Sequence, residues 1–232
     1  MRRLPLSIAV ALALVMGCSS TGSQNQSGTS LPTVAIGQAK SGQATYYDAT
    51  GDGACMLGPS PNDMDVAALN SPDWSGSSLC GACAEVTGPN GSVTIRIVDL
   101  CPECKTGDLD LSPEAFGKIA TMSAGRVAIT WKLVTCNVTG PVRYKYKDGS
   151  NQWWTAVQVQ NHRIPVTGLE FSVAGAAYQT MQRMDYNYFL TESGFGSNPV
   201  RVRVTVVDGQ TLEDDLPAVQ ELLVVQGKAQ FQ

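Results

Sequence analysis

The sequence predicts an all-β protein of two consecutive units, a compact disulfide-bridged barrel and then a β-sandwich. Three observations carry that expectation. Short runs of alternating apolar and polar residues, broken by Gly, Pro, Asn and Asp, recur along most of the chain. Only one helix start is convincing. Six cysteines, Cys55, Cys80, Cys83, Cys101, Cys104 and Cys136, crowd into the first unit and none follows Cys136, which suits three disulfides in one small domain.

The chain opens with Arg2 and Arg3, then an apolar run from Ile8 to Met16 that is too short to cross a bilayer as a helix. Residues 1–17 therefore read as a removable export signal. They lead into Val15-Met16-Gly17-Cys18, a pattern similar to a bacterial lipobox, in which the cysteine becomes the lipidated N-terminus. The competing reading is an ordinary secretory signal with Cys18 incidental. Lipidation at Cys18 would account for the odd member of seven cysteines. It would make the protein an outer-membrane or cell-surface lipoprotein instead of a freely secreted one, touching the membrane only through that anchor. Residues 18–37, mostly Ser, Gly, Thr, Asn and Gln, suit a flexible tether. Loss of Arg2 and Arg3 with the signal takes the formal charge from −4 to −6. With no basic footprint, nucleic acid is excluded as a partner, and attraction to acidic polymers is not expected.

In residues 38–137, Val93, Ile95 and Ile97 alternate with Thr94, Arg96 and Val98 after the turn Pro89-Asn90-Gly91. Val127, Ile129, Trp131 and Leu133 alternate again. Ser112, then Pro113 and Glu114-Ala115-Phe116, marks the helix start, and a second short helix is expected over residues 64–69. Residues 138–141, Val-Thr-Gly-Pro, suit a hinge. In residues 142–232, Tyr144 and Tyr146 alternate with Arg143, Lys145 and Lys147, and the turn Asp148–Asn151 leads to a strand from Gln152 to Gln160. Val202, Val204 and Val206 precede the Asp208-Gly209 turn. Regular short strands of this kind mark a sandwich.

Cys80-x-x-Cys83 and Cys101-x-x-Cys104 have the spacing of a zinc ribbon. Export favours disulfides instead, since thiols oxidise outside the cell, and neither a metal nor another cofactor is required. Asp99 ends an alternating strand and Asp110 sits just ahead of the helix start. Carboxylates at element ends are candidates for acid/base work on a glycosidic bond. A plainer reading has Asp110 complementing the helix N-terminus, which would lower its pKa. His162, the only histidine, is assigned a turn or packing role.

Gly42-Gln-Ala-Thr45-Tyr-Tyr, Asp99-x-x-Pro102, Leu109-Asp110-Leu-Ser112-Pro-x-Ala-Phe116, Trp153-Trp154 and Met184-Asp185-Tyr186-Asn187 occur in that order. Together they resemble the bacterial expansins, related to plant expansins and fungal loosenins, over residues 38–226. The resemblance implies a six-stranded double-psi β-barrel followed by an immunoglobulin-like β-sandwich that binds cellulose. It implies that Asp110 is the aspartate needed for wall loosening, with Thr45 and Asp99 beside it in a polysaccharide groove. It implies a binding platform of Trp153, Trp154 and Tyr186, flanked by Lys147. Aromatic faces suit the apolar faces of sugar rings. Adjacent tryptophans in a regular strand point to opposite faces, so exposing both requires a twist or bulge near Asp148–Asn151. The resemblance also implies the bridges Cys55–Cys80, Cys83–Cys136 and Cys101–Cys104, where sequence alone permits fifteen pairings. Cys101 stands where the family usually has Tyr, so a bridge replaces an aromatic sugar contact.

An inverting hydrolase needs a general acid and a separate general base. Asp48, Asp52 and Asp99 are available as second carboxylates. Asp48 comes nearest in order but falls one residue out of register, which turns a strand side chain to the opposite face. The expectation is a monomeric, non-enzymatic protein that adsorbs to cellulose and other plant cell-wall glucans and loosens them without hydrolysis. The rival readings are a lytic transglycosylase acting on peptidoglycan, an endoglucanase on the same barrel, and a carbohydrate-binding adhesion lipoprotein.

Overall fold

Six strands of the first unit close on one another: β1 (Ala39–Tyr46), β2 (Val66–Asn70), β3 (Cys83–Gly88), β4 (Gly91–Cys101), β5 (Leu109–Leu111) and β6 (Val127–Val134), in the circular order β1-β5-β2-β4-β3-β6. The computed structural model describes residues 35–232; the signal, Cys18 and most of the tether lie outside the described residues. β1 runs parallel to β5 and β2 parallel to β4, while the remaining pairs are antiparallel. Parallel neighbours cannot be joined by a hairpin, so connections cross, as in a double-psi barrel. Where β1 passes the loop entering β5, a Cβ on Gly42 would lie 2.1 Å from the Gly107 carbonyl oxygen. Only glycine fits that approach. The same carbonyl accepts the indole N–H of buried Trp131 at 2.8 Å.

Strand alternation sends Ala44, Ala67, Leu69, Ile95, Ile97, Leu109, Leu111, Ile129, Trp131 and Leu133 into the barrel. Residues 66–70 are strand β2 and not the helix expected there. Ala67 and Leu69 face the barrel core, while Val66 packs outside it with Ala49 and Val98. A short run buried on both faces cannot be told from a helix by periodicity. A one-turn helix, α1 (Ser71–Trp74), begins only after Asn70, whose side chain accepts from Asp73 N at 3.0 Å. The helix expected after Ser112 is α2 (Pro113–Ile119), capped by Ser112 Oγ on Ala115 N at 3.1 Å. All six barrel cysteines are bridged, as Cys55–Cys80, Cys83–Cys136 and Cys101–Cys104.

The second unit packs two antiparallel sheets. One holds β9 (Val166–Val173), β10 (Gln179–Thr180), β13 (Val200–Val206) and β14 (Thr211–Leu216). The other holds β7 (Arg143–Tyr146), β8 (Thr155–Gln160), β11 (Gln182–Arg183), β12 (Phe189–Thr191) and β15 (Val224–Gln226). Tyr144, Tyr146, Val157, Phe171, Phe189, Phe195, Val202 and Val204 fill the space between them.

The barrel docks on the outer face of the five-stranded sheet. The Cys55 carbonyl accepts from Gln158 Nε2 at 2.9 Å and Asn187 Nδ2 at 3.0 Å. Arg183 donates to the Ser77 carbonyl at 3.1 Å, and Ser77 Oγ donates to the Met184 carbonyl at 2.8 Å. Within residues 138–141, the Thr139 and Pro141 carbonyls accept from Asn161 Nδ2 at 2.9 and 2.8 Å. His162 is buried at this junction, its Nδ1 2.9 Å from the Ile164 carbonyl.

Candidate functional site

Thr45, Asp110, Ala68 and Asp99 stand in one row across four neighbouring strands. Thr45 is in register with Asp110, Asp110 with Ala68, and Ala68 with Asp99. Flanking Ala44, Leu109, Leu111, Ala67 and Leu69 face inward, so this row faces out. Simple alternation from Ile95 and Ile97 would have buried Asp99. A register shift in the β2–β4 pairing skips Val98. This bulge turns Asp99 outward and Leu100 inward against the core.

Thr45 Oγ1 donates to Asp110 Oδ1 at 2.5 Å. Burial raises the Asp110 pKa above the ordinary carboxylate value; the Thr45 bond opposes this, Glu103 and Asp99 push further up, and Arg126 pulls down. The shift is opposite in sign to what a helix-capping carboxylate would show. Ser112 caps α2, and Asp110 lies within β5. Asp99 Oδ1 instead accepts two backbone amides, Ala54 N at 2.7 Å and Leu100 N at 2.8 Å. A Cβ on Gly53 would lie 2.3 Å from Asp99 Cγ, so the loop can close on the carboxylate only with glycine there.

Tyr47 joins this row and went unassigned from sequence. Its buried hydroxyl lies beside the Asp99 carboxylate without a well-formed hydrogen bond among the described residues. Burial first, then the negative charge of Asp99 and of Asp110, pushes the phenol well above its usual pKa. The signal was its spacing, since residues two apart on a strand share a face and Tyr47 follows Thr45 by two. Of the other carboxylates weighed from sequence, Asp52 Oδ1 accepts Gly53 N and Gly58 N at 3.0 and 3.1 Å. Asp48 is exposed beyond the end of β1.

On the second unit, Trp153 and Trp154 do not sit in a strand. β8 begins at Thr155, and Asn151 to Trp154 form a tight turn closed by the bridge Asn151–Trp154. Asn151 Oδ1 accepts Trp153 N at 2.9 Å and Trp154 N at 3.2 Å, a side-chain-built turn. Strand alternation therefore does not apply to the pair. Trp153 is 71% exposed. Trp154 is half-buried with Tyr186 and Met184 against Ala156, Tyr188 and Leu190, on the outer face of the five-stranded sheet. Lys147 Nζ lies 5.8 Å from the Tyr186 ring centroid, within cation–π range. The Tyr188 ring lies tilted against Tyr186 with centroids 6.0 Å apart, and burial followed by the charge of Asp52 pushes its pKa up to about 12. The Asp52–Cys55 loop thus runs between the aromatic cluster and Asp99.

A closed six-stranded barrel with crossed parallel pairs, docked on an aromatic-faced sandwich, defines a two-unit double-psi barrel protein. The family model "Expansin N-terminal domain" matches residues 1–130. Expansin-YoaJ of Bacillus subtilis is 40% identical over 185 residues, covering 78% of this chain and 79% of the relative. Expansin-like protein 1 of Dictyostelium discoideum is 29% identical over 201 residues, covering 81% of this chain and 70% of its own. A mutant Clavibacter michiganensis expansin, solved in complex with cellohexaose, superposes with a TM-score of 0.76 at 30% identity, covering 84% of this chain and 98% of that one. The chain belongs to the expansin family.

Proposed function

We propose that the protein binds cellulose and related wall glucans through the sandwich and loosens their non-covalent contacts at the barrel groove without cleaving them. Trp153, Trp154 and Tyr186 form the adsorbing platform, with Lys147 beside it; Asp110, with Thr45 and Asp99, acts on the glucan in the groove. The observation that carries this reading is the isolation of Asp110. It is a carboxyl of raised pKa, suited to donating a proton or a hydrogen bond to a sugar oxygen. A hydrolase of inverting type needs a second, free carboxylate facing a water. Asp99 Oδ1 and Asp52 Oδ1 each accept two backbone amides, which ties both carboxylates to the backbone, and Asp48 is exposed beyond the end of β1. The complex of the Clavibacter relative with cellohexaose supports a glucan as ligand.

The protein is expected to act outside the cytoplasm, held near the surface if Cys18 carries lipid. Mass spectrometry of the mature N-terminus distinguishes that anchor from free secretion. The test of function is a wall-extension assay with released sugar measured in the same sample, wild type against Asp110→Ala. Creep without sugar, lost in the variant, is expected. Abundant soluble sugar without creep would overturn the proposal.

A further inference from the structure

A cavity of about 190 Å³ opens between the two units, lined from the barrel by Arg96 and Gly81 and from the sandwich by Arg143, Gln160, Asn161 and His162. It holds several times the ~30 Å³ share of one water. Its charge is one-sided. No carboxylate is among its lining residues, and the Arg96 Nε is buried with no hydrogen-bond partner among the described residues. The carboxylate of Asp63, itself largely exposed, comes no nearer than 3.9 Å to Arg96 Nη2. Arg143 stands exposed at the rim.

The neutral lining groups leave that charge unanswered. The side-chain oxygens of Ser60, Gln160 and Asn161 make no hydrogen bond to Arg96 or Arg143 among the described residues; Ser60 Oγ donates to the Asp63 carbonyl at 3.0 Å, and the amide nitrogens of Asn161 and Gln160 donate to the Thr139, Pro141 and Gln158 oxygens. His162 adds no negative charge. Burial, then Arg183, and also Arg96 bring its pKa down to about 4, so it is neutral at physiological pH. A buried guanidinium donor without a partner is costly, and the guanidinium fork matches carboxylate and phosphate oxygens.

We propose that this cavity is an oxyanion-binding site, taking a phosphate-sized or carboxylate group between Arg96 and Arg143. The same chemistry has two sources, a free inorganic anion or the carboxylate of a uronic-acid-bearing wall glycan. Because both units line the cavity, an occupant braces the docking that fixes groove against platform.

His162 is the only histidine and lines the cavity, so its ring resonances report occupancy without ambiguity. Titration with inorganic phosphate at fixed ionic strength is expected to shift them saturably. The apparent affinity should fall at least tenfold in Arg96→Gln and in Arg143→Gln, and rise in Asp63→Asn, which removes the competing carboxylate. A methyl glucuronoside, compared with methyl glucoside and with phosphate, separates the two sources. Tighter binding of the glucuronoside assigns a glycan, and tighter binding of phosphate a free anion. A shift that chloride reproduces, that never saturates, or that persists unchanged in Arg143→Gln overturns the proposal. Arg143 is exposed, so that variant keeps the test valid even where Arg96→Gln fails to fold.

Discussion

The carboxylate row on the barrel, proposed as a groove, and the aromatic surface on the sandwich, proposed as a platform, are built in opposite ways. The groove is non-local: Thr45, Asp99 and Asp110 arrive on three strands and are aligned by crossed pairing and one bulge. Its groups are half-buried and held by hydrogen bonds from 2.5 to 2.8 Å. The platform's tip is local: a four-residue turn lifts Trp153 into solvent. One surface depends on the fold being intact to within tenths of an ångström. The other should tolerate loss of its exposed Trp153 side chain with the fold unharmed.

The largest expected effect tests that contrast directly. Trp153→Ala combined with Trp154→Ala removes the exposed aromatic anchor, a loss of about 2 kcal/mol or more for a binding hot spot, roughly thirtyfold in adsorption to cellulose. Trp153→Ala alone should leave unfolding free energy within about 0.5 kcal/mol of wild type. Cellulose pull-down beside urea unfolding checks both. A large stability loss from Trp153→Ala would place it in the core and break the comparison.

Gly53→Ala should behave in the reverse manner. The new Cβ falls 2.3 Å from Asp99 Cγ, and displacing a packed group of this kind costs about 1–3 kcal/mol. Wall extension should fall much more than cellulose adsorption, because the clash falls on Asp99 while the turn that carries Trp153 belongs to the second unit. Equal loss of both activities would mean that the two surfaces are not separable.

A smaller effect is expected at the junction between them. Asn187→Ala leaves the Cys55 carbonyl one of its two buried donors, costing about 1 kcal/mol. Adding Gln158→Ala strips the second, so the double variant should lose more than the sum of the singles. Strict additivity in a double-mutant cycle would show that the shared carbonyl is not a bracket between the units.

The same contrast explains what was legible beforehand. Motif order exposed the barrel-then-sandwich plan, the helix cap at Ser112, and Thr45 with Asp110. The resemblance also put Asp99 beside them; strand alternation alone would have buried it, because its outward turn depends on Val98 being skipped, and pairing register is a property of two strands. Strand β2 was hidden for a related reason: its second apolar face is covered by Ala49 and Val98, residues distant in sequence. The tryptophan pair and the turn at Asp148–Asn151 were plain to see, but a second turn, Asn151–Trp154, replaces the expected first residues of the strand. Asn151 itself carried the missing signal, since its side chain can cap the amides two and three residues on.

The smallest effect is also the most specific to the groove. Burial holds the Asp110 pKa above its unfolded value, so between the two values the folded chain keeps a proton that the unfolded chain has released. Stability from this group is therefore present below the unfolded pKa and is lost as pH rises through the raised folded value. Asp110→Asn removes the penalty on the ionised form. Its Tm should match wild type at pH 3, rise relative to it as pH increases through that window, and stay higher at neutral pH. A thermal-unfolding series across pH 3–8 reads the sign. If the variant is instead less stable at neutral pH, the Thr45 bond outweighs burial and Asp110 belongs among ordinary ionised carboxylates. The expected outcome would show a residue that costs the fold stability, which is what separates a functional carboxyl from the capping role its place before α2 first suggests.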